Sequence, residues 1–283
     1  MQSYRNIFII LTYINSKDLI EFLESAKVTA DDYKVIIVNS YHDDESKEKI
    51  EKIAYNNGCD FINVENRGYS YGNNCGIQYA MEHYKFEFIT VSNADIIIKK
   101  YKTKGLPKDG IFSGVLIARS GKNQNPMTVK ENILSEKLIY QGFKYRKKIK
   151  LFLGIGLNKI RREIFLFKNK NMRSISSNPA LKPQLVRIFQ PHGSFITFSI
   201  NSIKKLWNGN DFNYTGVFDE NMFLFSEEGV LAKRAKKLNI PIYYSNYAFC
   251  YHKEDGSMKL ADLDLNGELA KSNIYFYEHY CKK

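Results

Sequence analysis

Paired cysteines are missing from this sequence. Cys59, Cys75, Cys250 and Cys281 are scattered with no CxxC spacing, which argues against a zinc site or a disulfide framework and fits reduced thiols in the cytoplasm. No run of 18 or more apolar residues occurs, so no segment is expected to span a membrane. The N-terminal MQSYRNIFIILTYIN has a short apolar run and no small-residue cleavage site, and is expected to be the first strand rather than a signal peptide. The G-x-G-x-x-G dinucleotide fingerprint is absent. So are RNA-recognition, helix-turn-helix and zinc-finger patterns, which weighs against a nucleic-acid partner. There is no internal repeat and no low-complexity linker. Acidic residues are in deficit, with 30 Asp and Glu against 42 Lys and Arg, a formal charge of +12. That balance favours nucleic acid, anionic membrane surfaces or phosphorylated substrates without choosing among them.

What is present is a globular composition, 44% hydrophobic over 283 residues, enough to bury a core without covalent staples. Tyr4–Thr12 reads as a buried strand, and Ser16 as the cap of a helix running to about Lys27. Tyr33–Val38 is a second strand. A charged helix over Glu45–Asn57 is closed by Gly58, and Cys59–Val64 is a third strand. This β-α-β-α-β order predicts an α/β fold, a mostly parallel central sheet flanked by helices, with loops gathered at the carboxyl ends of the strands. Helix is expected from about Asn73 to Tyr84, a strand over Phe86–Val91, and another over Asp109–Arg119. Later come a helix over Asn201–Trp207, a helix over Glu228–Leu238 and a strand over Pro241–Tyr251. The chain is expected to form a single domain over 1–283, with a basic insertion at about 120–183 and a helical tail at about 258–283. The insertion carries Lys144, Arg146, Lys147, Lys148, Lys150, Arg161, Arg162, Lys168 and Lys170 among Leu, Ile and Phe. It reads equally as a solvated helical face and as a surface that attracts anionic headgroups.

Three constellations could carry chemistry. The strand in FEFITVSNADI ends at Asn93 and Asp95, where open α/β sheets bind ligands, although both residue types also simply make turns. In NRGYSYGNNCGI, Gly68, Gly72 and Gly76 could let backbone approach a ligand. Asn73 and Asn74 could cap the helix that follows, whose N–H groups favour an anion. In FDENMFLFSEEGVLAKR, Glu227 and Glu228 diverge by roughly 100° on a helix, so one of them points into a given cleft. A carboxylate in an aromatic-lined pocket has a raised pKa, which suits a general base; both also favour a helix N-terminus. His252, at the end of a predicted strand, gains a role only if it meets Asp95. Together they could hold Mg²⁺ or Mn²⁺, the mixed N/O set leaning towards manganese.

These segments, in this order, resemble the family 2 inverting glycosyltransferases, which have the GT-A fold. The likeness runs from about Tyr4 to Ser257, with the middle insertion unmatched. NRGYSYGNNCGI looks like the family's N-x-G-F/Y-x-x-G-N-N-x-G-I. Asn93-Ala94-Asp95 falls where the family has N-P-D, its version of the D-x-D metal motif. PHGSF (Pro191–Phe195) and FLFSEEGVLA resemble a branch found in bacterial capsule and surface-polysaccharide clusters, and YHKEDGS matches a closing H-x-x-x-x-S. The chain departs by having Asn39 where an aspartate is usual, and Glu-Glu in place of Glu-Asp. The resemblance implies a metal-dependent hexosyl- or deoxyhexosyl-transferase acting in capsule, O-antigen or exopolysaccharide (lipopolysaccharide-type) synthesis. It implies a nucleotide-sugar donor near Thr12, Tyr13, Asn39, Arg67, Gly68, Asn73, Asn93 and Asp95. Asp95 and His252 would be the metal ligands, Gly193 and Ser194 would meet the acceptor, and Glu228, or else Glu227, would be the base. The acceptor would be a saccharide, lipid-linked at the inner face of the cell membrane, with the protein cytoplasmic or peripheral there. A non-catalytic nucleotide-sugar binder, or a basic nucleic-acid binder, remains the alternative of a different class.

Overall fold

In the computed structural model, residues 1–169, 184–209, 216–254 and 263–282 are described. Lys170 of the basic cluster, Ser257 of the closing motif and the start of the expected tail lie outside them. The strands are β1 (Gln2–Thr12), β2 (Tyr33–Ser40), β3 (Asp60–Val64), β4 (Tyr84–Asn93), β5 (Ile96–Tyr101), β6 (Ile111–Ala118), β7 (Leu185–Arg187), β8 (Phe195–Ser199) and β9 (Ile242–His252). The helices are α1 (Ser16–Thr29), α2 (Asp44–Asn56), α3 (Tyr69–His83), α4 (Ile133–Lys144), α5 (Lys148–Lys168), α6 (Ile200–Trp207), α7 (Glu227–Lys237) and α8 (Leu265–Phe276), the last followed by a π-turn over Tyr277–Cys281.

The strands form one sheet in the order β3-β2-β1-β4-β8-β6-β9-β5, with β7 pairing β9. β3, β2, β1 and β4 run parallel, β8 reverses, and β6 and β9 return to the first direction. Alternation along β1 explains the layering. Ile7 and Ile9 join one core with Ile36, Val38, Ile77 and Leu231, while Phe8 and Ile10 join the other with Leu19, Phe22, Ile37 and Ile50. Both faces are buried, so the strand reads as a continuous apolar run. Gly76 lets α3 lie close on the sheet, because a Cβ there would come within 2.3 Å of the Ile9 side chain.

Several boundaries differ from the sequence expectation. Asn15, not Ser16, caps α1, its side chain accepting from Asp18 N–H. α3 begins at Tyr69, four residues earlier than the Asn pair suggests, so Asn73 and Asn74 are interior helix residues rather than caps. β5 follows Asp95 directly and has no counterpart in the sequence reading. The insertion folds as the helical hairpin α4 and α5, held by Ser135 Oγ donating to Gly154 O at 2.6 Å.

Asn74 ties α3 to the acidic segment far along the chain. Its Oδ1 accepts from Val217 and Phe218 N–H, each at 3.1 Å, and its Nδ2 donates to Phe218 O and Glu220 Oε1, each at 2.9 Å. Asn74→Ala leaves buried backbone groups unpaired, and each such group costs about 1–3 kcal/mol. The expected loss of stability is about 3 kcal/mol, read as a lowered urea midpoint with an unchanged slope.

Candidate active site

The sheet register brings distant motifs together. Asp95 sits in the tight turn from β4 to β5, and β5 pairs with β9 so that Ile96 lies opposite His252. Lys253 N–H donates to Asp95 O at 3.0 Å and closes that corner. His252 Nε2 consequently stands 3.4 Å from Asp95 Oδ2, with both side chains largely buried. The other ring nitrogen is held by Gln124. Gln124 Nε2 donates to Glu254 Oε1 at 2.9 Å, which turns its Oε1 towards His252 Nδ1 at 2.8 Å. Gln124 Oε1 is thus placed to accept from Nδ1–H, which in the neutral ring leaves Nε2 as the acceptor on the Asp95 side. Asp95 Oδ1 is buried without a hydrogen-bond partner. An imidazole nitrogen and a carboxylate facing each other, beside an orphaned carboxylate oxygen, fit a divalent cation with a mixed N/O preference. Among the described residues no set of three or more such side chains gathers to hold a metal, so the remaining ligands would come from phosphate oxygens and water.

On the opposite wall, Gly68 starts α3 with φ +94°, and a Cβ there would come within 2.1 Å of Phe223 O. Tyr69 N–H donates to that same oxygen at 2.9 Å. This contact fixes the segment Phe223–Ser226 against α3. Phe225 and Ser226 then take φ of 72° and 67° in succession, a left-handed conformation that costs non-glycine residues about 1–3 kcal/mol each. The distortion starts α7 abruptly and turns Glu227 and Glu228 into the cavity.

The two carboxyls differ in surroundings. Glu228 Oε1 accepts from Gly193 N–H at 3.0 Å. Glu227 is buried, and its Oε1 has no partner. Burial first, and the Glu228 charge second, push the Glu227 carboxyl up to about 8. Burial also raises Glu228, but the Gly193 N–H pulls in the opposite direction. Of the pair, Glu227 is the member on which burial and the neighbouring charge favour the proton, and the Gly193 N–H favours the charge on Glu228. Tyr69 OH donates to Gly193 O at 2.7 Å, and Asn93 N–H donates to Ser194 O at 3.0 Å. His192 accepts from Ser194 N–H at 3.3 Å through Nδ1, and burial keeps its ring neutral, pushed down to about 3.

One cavity of about 910 Å³ is lined by Thr12, Tyr13, Gly68, Asn93, Asp95, Gly193, Ser194, Glu227, Glu228 and His252. Three residues expected at the donor do not line this cavity. Asn39 is fully buried, its Nδ2 donating to Asn63 Oδ1 at 2.7 Å, and Ser40 reaches the wall instead. Asn73 donates back to Tyr69 O at 2.9 Å inside α3. Arg67 lies over the Tyr71 ring at 4.1 Å and 3.6 Å from Glu220. Sequence reasoning missed Tyr69, Gln124 and His192. His192 stood in the PHGSF motif, but Gln124 carried no signal, since only β-pairing brings it to His252.

The model of the family described as glycosyl transferase family 2 matches residues 7–166, more than half of the chain. No curated protein matches at the level of sequence. GalNAc-T7, in a crystal structure with UDP, GalNAc and Mn²⁺, superposes with a TM-score of 0.58 at 10% identity, over 88% of this chain and 44% of that one. S. aureus TarS superposes with a TM-score of 0.51 at 17% identity, over 96% of this chain and 43% of that one. Its 1–349 fragment in complex with UDP-GlcNAc gives 0.50 at 16% identity, over 97% and 73%. The chain thus spans less than half the length of the first two. At these identities the likeness shows a shared GT-A fold.

The Glu227 environment predicts a stability change with pH. Its pKa is raised on folding from 4.5 to about 8, so the native state binds the proton more tightly than the unfolded chain. That contribution is fully present below pH 4.5 and is lost as pH rises towards 8, at up to about 1.4 kcal/mol per unit. Urea unfolding between pH 5 and 9 should show the wild type losing stability relative to Glu227→Gln across that window. Parallel curves for the two proteins would refute the assignment.

Proposed function

Because the chain belongs to glycosyl transferase family 2, we propose that it is an inverting glycosyltransferase moving a sugar from a nucleotide-diphosphate donor to a saccharide acceptor. The observation that carries the proposal is the meeting of Asp95–His252 and Glu227–Glu228 in one cavity. The relatives of similar fold solved with UDP, with GalNAc and Mn²⁺ or with UDP-GlcNAc support a nucleotide-sugar donor here. The nucleotide lies over the ends of β1 and β2, at Thr12, Tyr13 and Ser40. The diphosphate lies towards Asn93 and Asp95, with Gly68 allowing close backbone approach. Asp95 and His252 are the residues that would hold a divalent cation. When bound, that cation offsets the negative charge gained by the leaving diphosphate.

The acceptor enters beside Gly193 and Ser194. Glu228 accepts the proton of the acceptor hydroxyl as its oxygen attacks the anomeric carbon. The bond from that carbon to the phosphate oxygen breaks, and its electron pair leaves with the nucleoside diphosphate. A single in-line displacement inverts the centre, through an oxocarbenium-like transition state. Gly193 N–H keeps Glu228 aimed and favours its ionised form, while a proton on Glu227 spares the site a second negative charge. Tyr69 positions Gly193 from below.

The acceptor side of the cavity is apolar, with Met127, Ile139, Ile155, Leu265, Leu269 and Phe276, and carries Lys159 and Arg162. That combination supports an acceptor joined to a lipid through a diphosphate, as in bacterial capsule, O-antigen or exopolysaccharide synthesis. A hexosyl or deoxyhexosyl group, a cytoplasmic location and work at the inner membrane face belong to the same reading. So does the organisation of the whole chain as one catalytic domain.

Isothermal titration against UDP-, GDP- and dTDP-sugars with Mn²⁺, followed by a transfer assay, tests the proposal. Glu228→Gln should keep donor affinity within about twofold and lose at least about 100-fold in kcat, the scale of a removed general base. Glu227→Gln should retain transfer, and Asp95→Ala should lose metal-dependent donor binding. The wild-type rate should rise with pH along a limb above the ordinary glutamate range, because burial raises Glu228. Normal transfer by Glu228→Gln together with loss in Glu227→Gln would overturn the choice of base. Absence of donor binding across the panel would overturn the function.

A further inference from the structure

α5 is 21 residues long, and Gly154 is its one buried residue. Its contacts explain which side faces inward. Gly154 lies against Ile139 and Ser135 of α4, and Arg162 donates through Nε to Pro126 O at 2.7 Å and through Nη2 to Asn123 O at 2.6 Å. Ile155, Asn158, Lys159 and Arg162 reach the cavity. The opposite side should be polar if it faced only water. It is apolar instead. Ile149, Phe152, Leu153, Ile160, Ile164 and Phe167 are 76%, 70%, 55%, 59%, 49% and 72% exposed.

At 3.6 residues per turn these six fall within an arc of about 120°, which also holds Gly156 and one charge, Glu163, paired with Arg162 at 2.8 Å. Cations border the arc on both sides, Lys148 and Lys159 along one edge and Lys150, Arg161 and Lys168 along the other. Over residues 133–168 there are ten Lys and Arg against two Glu, so most of the chain's excess charge sits on this hairpin. No described helix is long and apolar enough to cross a membrane. An apolar stripe between two basic borders is instead the pattern of a helix lying in the plane of a lipid surface, its apolar side at the acyl boundary and its cations among headgroups.

We infer that α5 docks this protein on an anionic phospholipid surface through the stripe Ile149–Phe167. The charge complementarity selects that occupant: a second copy of the chain would bring ten like charges against ten, whereas phospholipid headgroups neutralise them. The cavity wall and the docking stripe are two sides of one helix, so docking would set the acceptor side of the cavity close to the lipid. The inference rests on the lipid-linked-acceptor reading for its purpose, while the binding itself is separable from it.

The test uses the full chain and vesicles of phosphatidylcholine alone or with about 30% phosphatidylglycerol. Wild-type protein should sediment with the anionic vesicles at low salt, bind the neutral ones at least tenfold more weakly, and be released by high salt. The double variants Phe152→Ser with Ile160→Ser, and Arg161→Glu with Lys168→Glu, should each lose at least tenfold in partitioning while keeping the wild-type circular dichroism and donor affinity. Phe152→Trp should show a blue shift in emission on anionic vesicles, separable from the native Trp207 by comparison with wild type. Wild-type protein that stays in solution, or double variants that bind as the wild type does, would overturn the docking. So would a Phe152→Trp protein that sediments with its added indole emission unmoved. Concentration-dependent dimerisation abolished by the Phe152 and Ile160 changes would also overturn it, since that assigns the stripe to a second copy. Loss of docking with intact donor hydrolysis in solution leaves the proposed function standing. Docking with transfer to soluble saccharides but not to lipid-linked ones would sink the acceptor reading and leave the docking.

Discussion

The arrangement of the site depends on the backbone at Gly193 and Ser194. Four hydrogen bonds converge there, three from distant parts of the chain and one from a neighbour: Glu228 on Gly193 N–H, Tyr69 on Gly193 O, Asn93 on Ser194 O, and His192 on Ser194 N–H. A side chain at 193 would push the Glu228 carboxylate aside, since a Cβ would come within 2.5 Å of Glu228 Oε1. The segment enters β8, which pairs antiparallel with β4 in the register Ser92 to Phe195. The strand that delivers Asp95 therefore also sets the height of the dipeptide that holds Glu228. The Asp95–His252 corner and the Gly193 N–H that holds Glu228 are thus spaced through the β4–β8 register, while the turned backbone at Phe225–Ser226 presents the carboxyl pair.

The second constraint is electrostatic. Two adjacent glutamates opening one helix would each gain from the helix N-terminus, yet burial disfavours two charges side by side. The two differ at Oε1: that of Glu228 accepts from Gly193 N–H, and that of Glu227 is buried without a partner. Separating two carboxyls by environment lets adjacent residues of the same type take different protonation states. The strained Phe225–Ser226 backbone is the conformational cost of presenting both to the cavity, and the Gly68–Phe223 contact with the Asn74 bonds holds that strain in place.

The first half of the fold was legible because its signals are local. Apolar strands, the polar cap region before α2 and Gly58 at φ +64° are short-range features that the structure retains. The start of α3 was not, because its first turn is fixed by Phe223 O rather than by a capping side chain, and no local pattern reveals a partner more than 150 residues away. Motif position puts Asn39 and Asn73 at the donor, yet each Nδ2 donates to a neighbour within the fold and each Oδ1 is buried without a partner. The insertion resisted reading because α5 has apolar residues on its inner and outer sides, so its periodicity lacks the single polar face by which a surface helix is recognised.

That same departure connects the periphery to the chemistry. α4 contributes Glu136 and Ile139 to the cavity wall, with Asn132 just before it, and Glu136 pairs with Lys233 at 2.8 Å, with Glu131 on the same ammonium at 2.6 Å. Lys233 lies on α7, five residues beyond Glu228, and is itself largely buried. A buried ammonium flanked by two carboxylates resists displacement, because removing either partner leaves charge uncompensated. The hairpin is thus joined to the helix carrying the proposed base by paired charges, and to the cavity by the inner side of α5. A surface engaged along the outer stripe would act on a helix that already includes one wall of the site. Pre-organising that wall removes part of the ordering cost an acceptor would otherwise meet on binding, which gives a physical reason for one helix to serve both cavity and surface.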